Sequence, residues 1–182
     1  MINSNRTFTI TKLKKNIKTI DSFVSMGEET LILLTSLGRI FKFNLSDNFI
    51  TSTSKQSQGL ALVKLLPTEK IVSCCQCSNE EKFYLVSQQG KIFCFNNNEI
   101  YYAIDNHLGY LSDKTQLKND CFIKILSNNQ YLDIETNKNK SARLNFEKLN
   151  FKSNKAFNII DLFKLDNDEY LEKCFGLEKL LS

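Results

Sequence analysis

Histidine occurs once in this 182-residue chain, proline once and arginine three times, and the scarcities close off several kinds of chemistry. The lone histidine, His107, lies in the polar stretch DNHLG. Any Ser-His-Asp relay or histidine-ligated metal would rest on it, and the relay needs an oriented partner that the sequence does not offer. An incidental loop histidine is the plainer reading. No G-x-x-x-x-G-K-[ST] run is present to cradle nucleotide phosphates. No run of 18 apolar residues occurs, so nothing is expected to span a membrane. The N-terminus, MINSNRTFTITKLKKNI, has lysines without the apolar core of a secretory signal. Six cysteines without an export signal point to free thiols in a reducing compartment, the cytoplasm.

The bulk numbers are ordinary for a globular protein, at 42% hydrophobic and 24% charged. The length fits one domain that buries roughly 70% of its unfolded surface and needs no disulfide or metal to fold. The net charge of +4 is mild but uneven. The first twenty residues hold Arg6, Lys12, Lys14, Lys15 and Lys18 with no acid, while the chain leans acidic from Asp161 onward. A basic edge permits polyanion binding without proving it.

The chain repeats itself. TLILLTSLGRIFKF (Thr30 to Phe43) lies over KFYLVSQQGKIFCF (Lys82 to Phe95) without a gap, at a spacing of 52. A period near fifty points to a propeller blade or a similar unit. Each copy reads as a β-rich run, a glycine turn at Gly38 or Gly90, a second β-rich run and a long polar connection. The glycines sit where a tight hairpin wants positive φ. In GKIFCF both strand faces are apolar, which belongs to stacked sheets. The connections end at Gly59 and Gly109 and lead into LALVKLLPTEKIVSCC and LSDKTQLKNDCFIKIL, read as further short strands. A fainter third copy, QYLDIETNKNKSARLNF (Gln130 to Phe146), lacks the turn glycine. Beyond it, Leu171, Cys174, Phe175, Leu177 and Leu181 fall near helical spacing after an Asp-rich start. A short C-terminal helix is expected there, with a degenerate strand pair as the competing reading.

The ordered series resembles the C-terminal domain of the DNA gyrase A subunit and its topoisomerase IV relative. TLILLTSLGRIFKF resembles that family's strand pair, SQGLALVKLLPTEKIVS (Ser57 to Ser73) the segment leading into the next blade, and EKFYLVSQQGKIFCFNNNEI restarts the pattern. The resemblance implies an all-β fold, a β-pinwheel of about three to four blades whose basic outer edge wraps DNA. It places repeats at about 28–79, 80–128 and 129–165 in a single domain, followed by a segment at 166–182. The glycine-rich basic box of gyrase A is absent; Lys55-Gln-Ser-Gln-Gly59 keeps one basic residue of it. Nor is the family's cleavage chemistry expected, because Arg6, Arg39 and Arg143 have no tyrosine neighbour in sequence. If this is a piece of a topoisomerase, it is the DNA-handling part, not an enzyme on its own.

The candidate DNA contacts are Arg39, Lys42, Lys55, Lys64, Lys91 and Lys114, at related places in successive repeats, with Lys12, Lys14, Lys15 and Lys18 on the N-terminal segment. Arg39 and Lys91 are equivalent, each directly after the turn glycine. A basic residue on each blade would draw a line of positive charge around a rim, and binding would follow phosphates and deformability, not base edges. Lysines at hairpin ends can equally be solvated guards against aggregation. The cluster Cys74-Cys75-Gln-Cys77 is one ligand knuckle without a second, so small buried thiols between blades are favoured over zinc. Tyr101-Tyr102 could stack on bases, but capping a sheet edge or packing between blades is preferred.

The reading is therefore non-sequence-specific binding and bending of duplex DNA towards a topoisomerase catalytic core, with no cofactor. The alternative is a protein-interaction propeller that has lost strong wrapping. An independent enzyme has no residue constellation behind it.

Overall fold

In the computed structural model the described residues are 15, 17–23, 30–45, 61–78, 81–103, 109–127, 131–149, 151, 155–159 and 162–177. They form ten strands and three single-turn 3-10 segments, and no α-helix. The strands are β1 (Thr30–Thr35), β2 (Ile40–Asn44), β3 (Ile71–Cys77), β4 (Lys82–Ser87), β5 (Lys91–Asn96), β6 (Phe122–Ser127), β7 (Tyr131–Thr136), β8 (Ser141–Asn145), β9 (Phe157–Asn158) and β10 (Leu171–Leu177).

Three antiparallel sheets result, ordered β2-β1-β3, β6-β4-β5-β9 and β10-β7-β8. The 52-residue echo is a pair of hairpins in the same register, with Leu31 opposite Phe43 and Phe83 opposite Phe95. The faint third copy is a hairpin too, with Leu132 opposite Leu144. Its missing glycine is replaced by Asn139 at φ 58°, beside Gly38 at 82° and Gly90 at 80°. Asparagine tolerates the left-handed region better than most residues, so the turn survives.

Strands with two apolar faces are what stacking requires. Ile32, Leu34 and Ile40 of the first sheet pack on Phe83, Leu85, Phe93, Phe95, Phe122 and Ile125 of the second. The second sheet turns its other face, Val86, Ile92 and Leu126, to Leu132, Ile134, Leu144 and Leu171 of the third. Tyr84 stacks on Phe146 across that junction, with ring centroids 4.2 Å apart. The connections then lock neighbours together. After β5 the chain returns to the first sheet, where Tyr110 and Ile40 exchange backbone hydrogen bonds of 2.7 and 2.8 Å. After β8 it returns to the second sheet, where β9 pairs with β5. The second repeat thus lends a bridge, and the third a short strand, to the sheet before it.

The expected C-terminal helix is corrected: Leu171–Leu177 is β10, paired with β7. A register shift between Leu171 and Lys173 breaks strict alternation. A bulged strand buries residues three apart, here Leu171 and Cys174, and so imitates helical spacing. Phe122 and Ile125 do the same on β6, beside a shift at Val86/Ser87.

The first turn is also a contact between blades, since a Cβ on Gly38 would lie 2.8 Å from the Phe122 ring and 3.3 Å from the Thr115 carbonyl. Gly38→Ala combines that clash with an unfavourable φ. It should destabilise the fold by about 2 kcal/mol, measured by urea denaturation.

Candidate nucleic-acid interface

The residue after each hairpin turn is basic, and the structure shows why. Its backbone N–H donates to the hydroxyl that ends the preceding strand: Arg39 to Thr35 Oγ1 at 3.1 Å, Lys91 to Ser87 Oγ at 3.0 Å, and Lys140 to Thr136 Oγ1 at 3.2 Å. Its side chain faces an acid just before the sheet's inner strand. Arg39 Nε donates to Glu69 Oε1 at 2.8 Å and its Nη2 donates to the other carboxylate oxygen. Lys140 Nζ donates to Glu169 Oε2 at 2.7 Å, and Lys91 Nζ lies 3.9 Å from Asp120 Oδ2. The residues before these acids, Thr68, Asn119 and Asp168, all have positive φ, at 67°, 54° and 63°. Each blade therefore carries the same clasp between hairpin turn and inner strand.

Arg39 and Lys42, expected on a basic rim, are both buried. Arg39 is 5% exposed, sits over the Phe41 ring, and donates to the Lys64 carbonyl as well as to Glu69. Lys42 is 3% exposed. Its Nζ donates to the Asn97 carbonyl at 2.8 Å and rests 4.4 Å from the centre of the Tyr102 ring. Burial pulls the Lys42 pKa below its ordinary value. Both bury their charge in joining parts of the fold.

The remaining candidates fall differently. Lys64 is exposed and Lys91 is half-buried. Lys114 lies in the 3-10 turn Asp113–Thr115. Lys15 and Lys18 are exposed on the N-terminal segment, while Lys12, Lys14 and Lys55 lie outside the described residues. So does His107. Tyr101 is exposed, in contrast to the packing expected of it.

Exposed lysines that the sequence reading passed over stand beside the clasps. Lys118 and Lys164 lie on the connections that approach Asp120 and Glu169, as Lys64 does for Glu69. Lys70 and Lys138 are exposed nearby. These connections are tied to the hairpin turns, through Ser36 N–H to the Lys70 carbonyl, Gln88 N–H to the Cys121 carbonyl and Asn137 N–H to the Tyr170 carbonyl. The lysines therefore gather at one end of the blades, interrupted by the exposed acids Asp113, Asp166 and Asp168. The available signal was the distance to the acid: Lys64 and Lys164 each precede theirs by five residues.

The six cysteines are free thiols. Cys75 and Cys77 lie on β3 and pack in the core between the first two sheets. Burial raises the Cys77 and Cys174 pKa values to about 12, so neither is a ready thiolate. Among the described residues, no group of three or more His, Cys, Asp or Glu has the geometry to hold a metal. Nor is any helix among them long and apolar enough to cross a membrane.

No protein-family model matches the chain, and no curated protein matches it in sequence. Solved structures do match. The chain is similar to a DNA gyrase A C-terminal domain (22% identity, TM-score 0.64), covering 91% of this chain and 53% of that one. It is similar to the C-terminal domain of a DNA topoisomerase IV (17% identity, TM-score 0.75), covering 93% and 53%. It is also similar to the E. coli ParC C-terminal domain (18% identity, TM-score 0.57), covering 84% and 63%. The chain thus has the β-pinwheel fold of these domains and spans between half and two thirds of their length.

The clasps make acid sensitivity a direct readout. The Arg39 guanidinium holds the Glu69 carboxyl at about 2, below its ordinary 4.5. Glu169 is likewise lowered to about 2, by the Asp166 N–H first and then Lys140. Lowered carboxyl pKa values mean stabilisation that is full above about pH 4.5 and lost as the pH falls through 2. Urea midpoints should fall over that window, and less steeply in Glu69→Gln. At pH 7, Arg39→Ala should cost about 3 kcal/mol, because Glu69 is left buried and unpaired. Lys91→Ala, with its longer and partly solvated pair, should cost about 1 kcal/mol.

Proposed function

We propose that this chain is an accessory module that binds and bends duplex DNA without reading its sequence. The observation that carries the proposal is the recurrence of exposed lysine (Lys64, Lys118 and Lys164) on the connection feeding each clasp, in a fold shared with the C-terminal domains of two DNA topoisomerases. Lysine offers a strongly hydrated point charge on a flexible stem, suited to phosphate oxygens and indifferent to base edges. Lysines repeated at one end of each blade would meet a duplex that bends along the stacked blades. The bent segment would be delivered to a catalytic core on another chain or chain portion.

Burial of Arg39 and Lys42 sets the limits of this reading. The rim charge comes from the connections, with Lys91 and Lys114 as flanking contributors and Lys12, Lys14, Lys15, Lys18 and Lys55 as additional cations. With Asp113, Asp166 and Asp168 interleaved, affinity should be modest and strongly dependent on salt.

Each phosphate neutralised releases counterion, so log K should fall against log salt by about 0.9 per contact. Replacing Lys64, Lys118 and Lys164 together by alanine should flatten that slope by up to roughly 2.7 units. The loss should be alike on unrelated duplexes, as measured by fluorescence anisotropy. If only the loss of Lys12, Lys14, Lys15 and Lys18 changes the slope, the N-terminal segment is the binding element. Absence of binding even at low salt would favour the protein-interaction module instead.

A further inference from the structure

The two inner junctions are mainly apolar, with Lys42 buried at the first, whereas the outer face of the third sheet is mainly charged. On the second sheet, the face turned to its neighbour presents Tyr84, Val86, Ile92, Cys94 and Leu126, with Lys124 opposite Val86 at the position of Lys173. The strand registers place Asp133, Glu135, Ser141, Arg143 and Phe175 at the same positions of the third sheet. Four of those five replacements are polar or charged. Arg143 donates to both oxygens of Asp133, directly opposite across the β7–β8 pair, at 2.6 and 2.7 Å. On the other side of β7, Lys173 donates to Glu135 at 2.8 Å. Two cross-strand ion pairs thus tile the surface where an apolar junction would otherwise form.

The edge of this sheet tells the same story. Strand β2 accepts Tyr110 from the next repeat, and β5 accepts β9 from the next. Among the described residues, β8 pairs with β7 alone. Repeat proteins end their stacks on a unit whose outer face is polar, because burying such a face against a further repeat would desolvate its charges.

From this we infer that the third blade is a cap, and that no fourth blade stacks on it, whether from further repeats or from a second copy of the chain. The disc is an open arc of three blades with a charged, solvent-facing end at β7, β8 and β10. The inference rests on the chemistry of that face and holds independently of DNA binding. It also bounds any partner of the arc: a ligand that follows the blades must leave them at the third.

Two variants test it, read by light scattering coupled to size exclusion over a wide concentration range. Arg143→Asp sets like charges opposite each other on the face. A wild-type chain that runs as one copy, or as an assembly whose mass this variant leaves unchanged, supports the cap. A wild-type assembly that loses mass in Arg143→Asp overturns it. The second variant restores the inner-junction residues: Asp133→Tyr, Glu135→Val, Ser141→Ile and Arg143→Cys in one chain. With its β spectrum retained, it should gain concentration-dependent self-association through the new apolar face. If it keeps the spectrum and still runs as one copy, the polar substitutions are not what ends the stack. If it does not fold, Arg143→Asp decides alone.

Discussion

A hairpin turn pinned to an inner strand by opposite charges is the constraint on which each blade depends. The left-handed residue before Glu69, Asp120 or Glu169 swings the carboxylate back over the turn, and the base after the turn meets it. Backbone donors add to the pairing: Leu66 N–H on Glu69, Gln89 and Cys121 N–H on Oδ1 of Asp120, and Asp166 N–H on Glu169. The charges are therefore compensated twice, once by the base and once by the chain, as buried ions require. With the turn held, the hairpin presents two apolar faces at a fixed angle, and the next sheet can pack on one of them.

The three clasps are not equal. The first is the driest, with Arg39 and Glu69 both nearly inaccessible. The second is looser, and among the described residues Asp120 Oδ2 has no hydrogen-bond donor. The third has a lysine shared between Glu169 and the exposed Asp166. Local opening is cheapest where solvent already replaces part of a pairing, so the connections near Lys91 and Lys140 should open before the one near Arg39.

Much of this was legible in the sequence. The echo of Thr30 to Phe43 in Lys82 to Phe95 showed paired hairpins, and the doubly apolar GKIFCF showed sheets stacked on both sides. The third hairpin was faint because Asn139 performs the turn without the glycine that marks it. The C-terminal strand was mistaken for a helix because its bulge spaces Leu171 and Cys174 by three. The burial of Arg39 was hidden for a different reason. A conspicuous base after a turn has the same letters whether it greets a phosphate or a carboxylate thirty residues away, and only the left-handed Thr68 before Glu69 decides between them. The charged outer face was hidden for want of register, since Asp133 and Arg143 look like ordinary surface residues until they are set against Tyr84 and Cys94.

The loaned strands bear on how the chain comes apart. In a simple repeat array each unit can melt at the end while the rest persists, and stability adds up unit by unit. Here the fourth strand of the middle sheet, Phe157–Asn158, belongs to the third repeat, and the bridge at Ile40 belongs to the second. Removing one repeat strips backbone pairing from its neighbour as well as side-chain packing. Denaturation of this arc should accordingly behave as one cooperative event, and a cut between repeats leaves the first or the second sheet without its borrowed pairing.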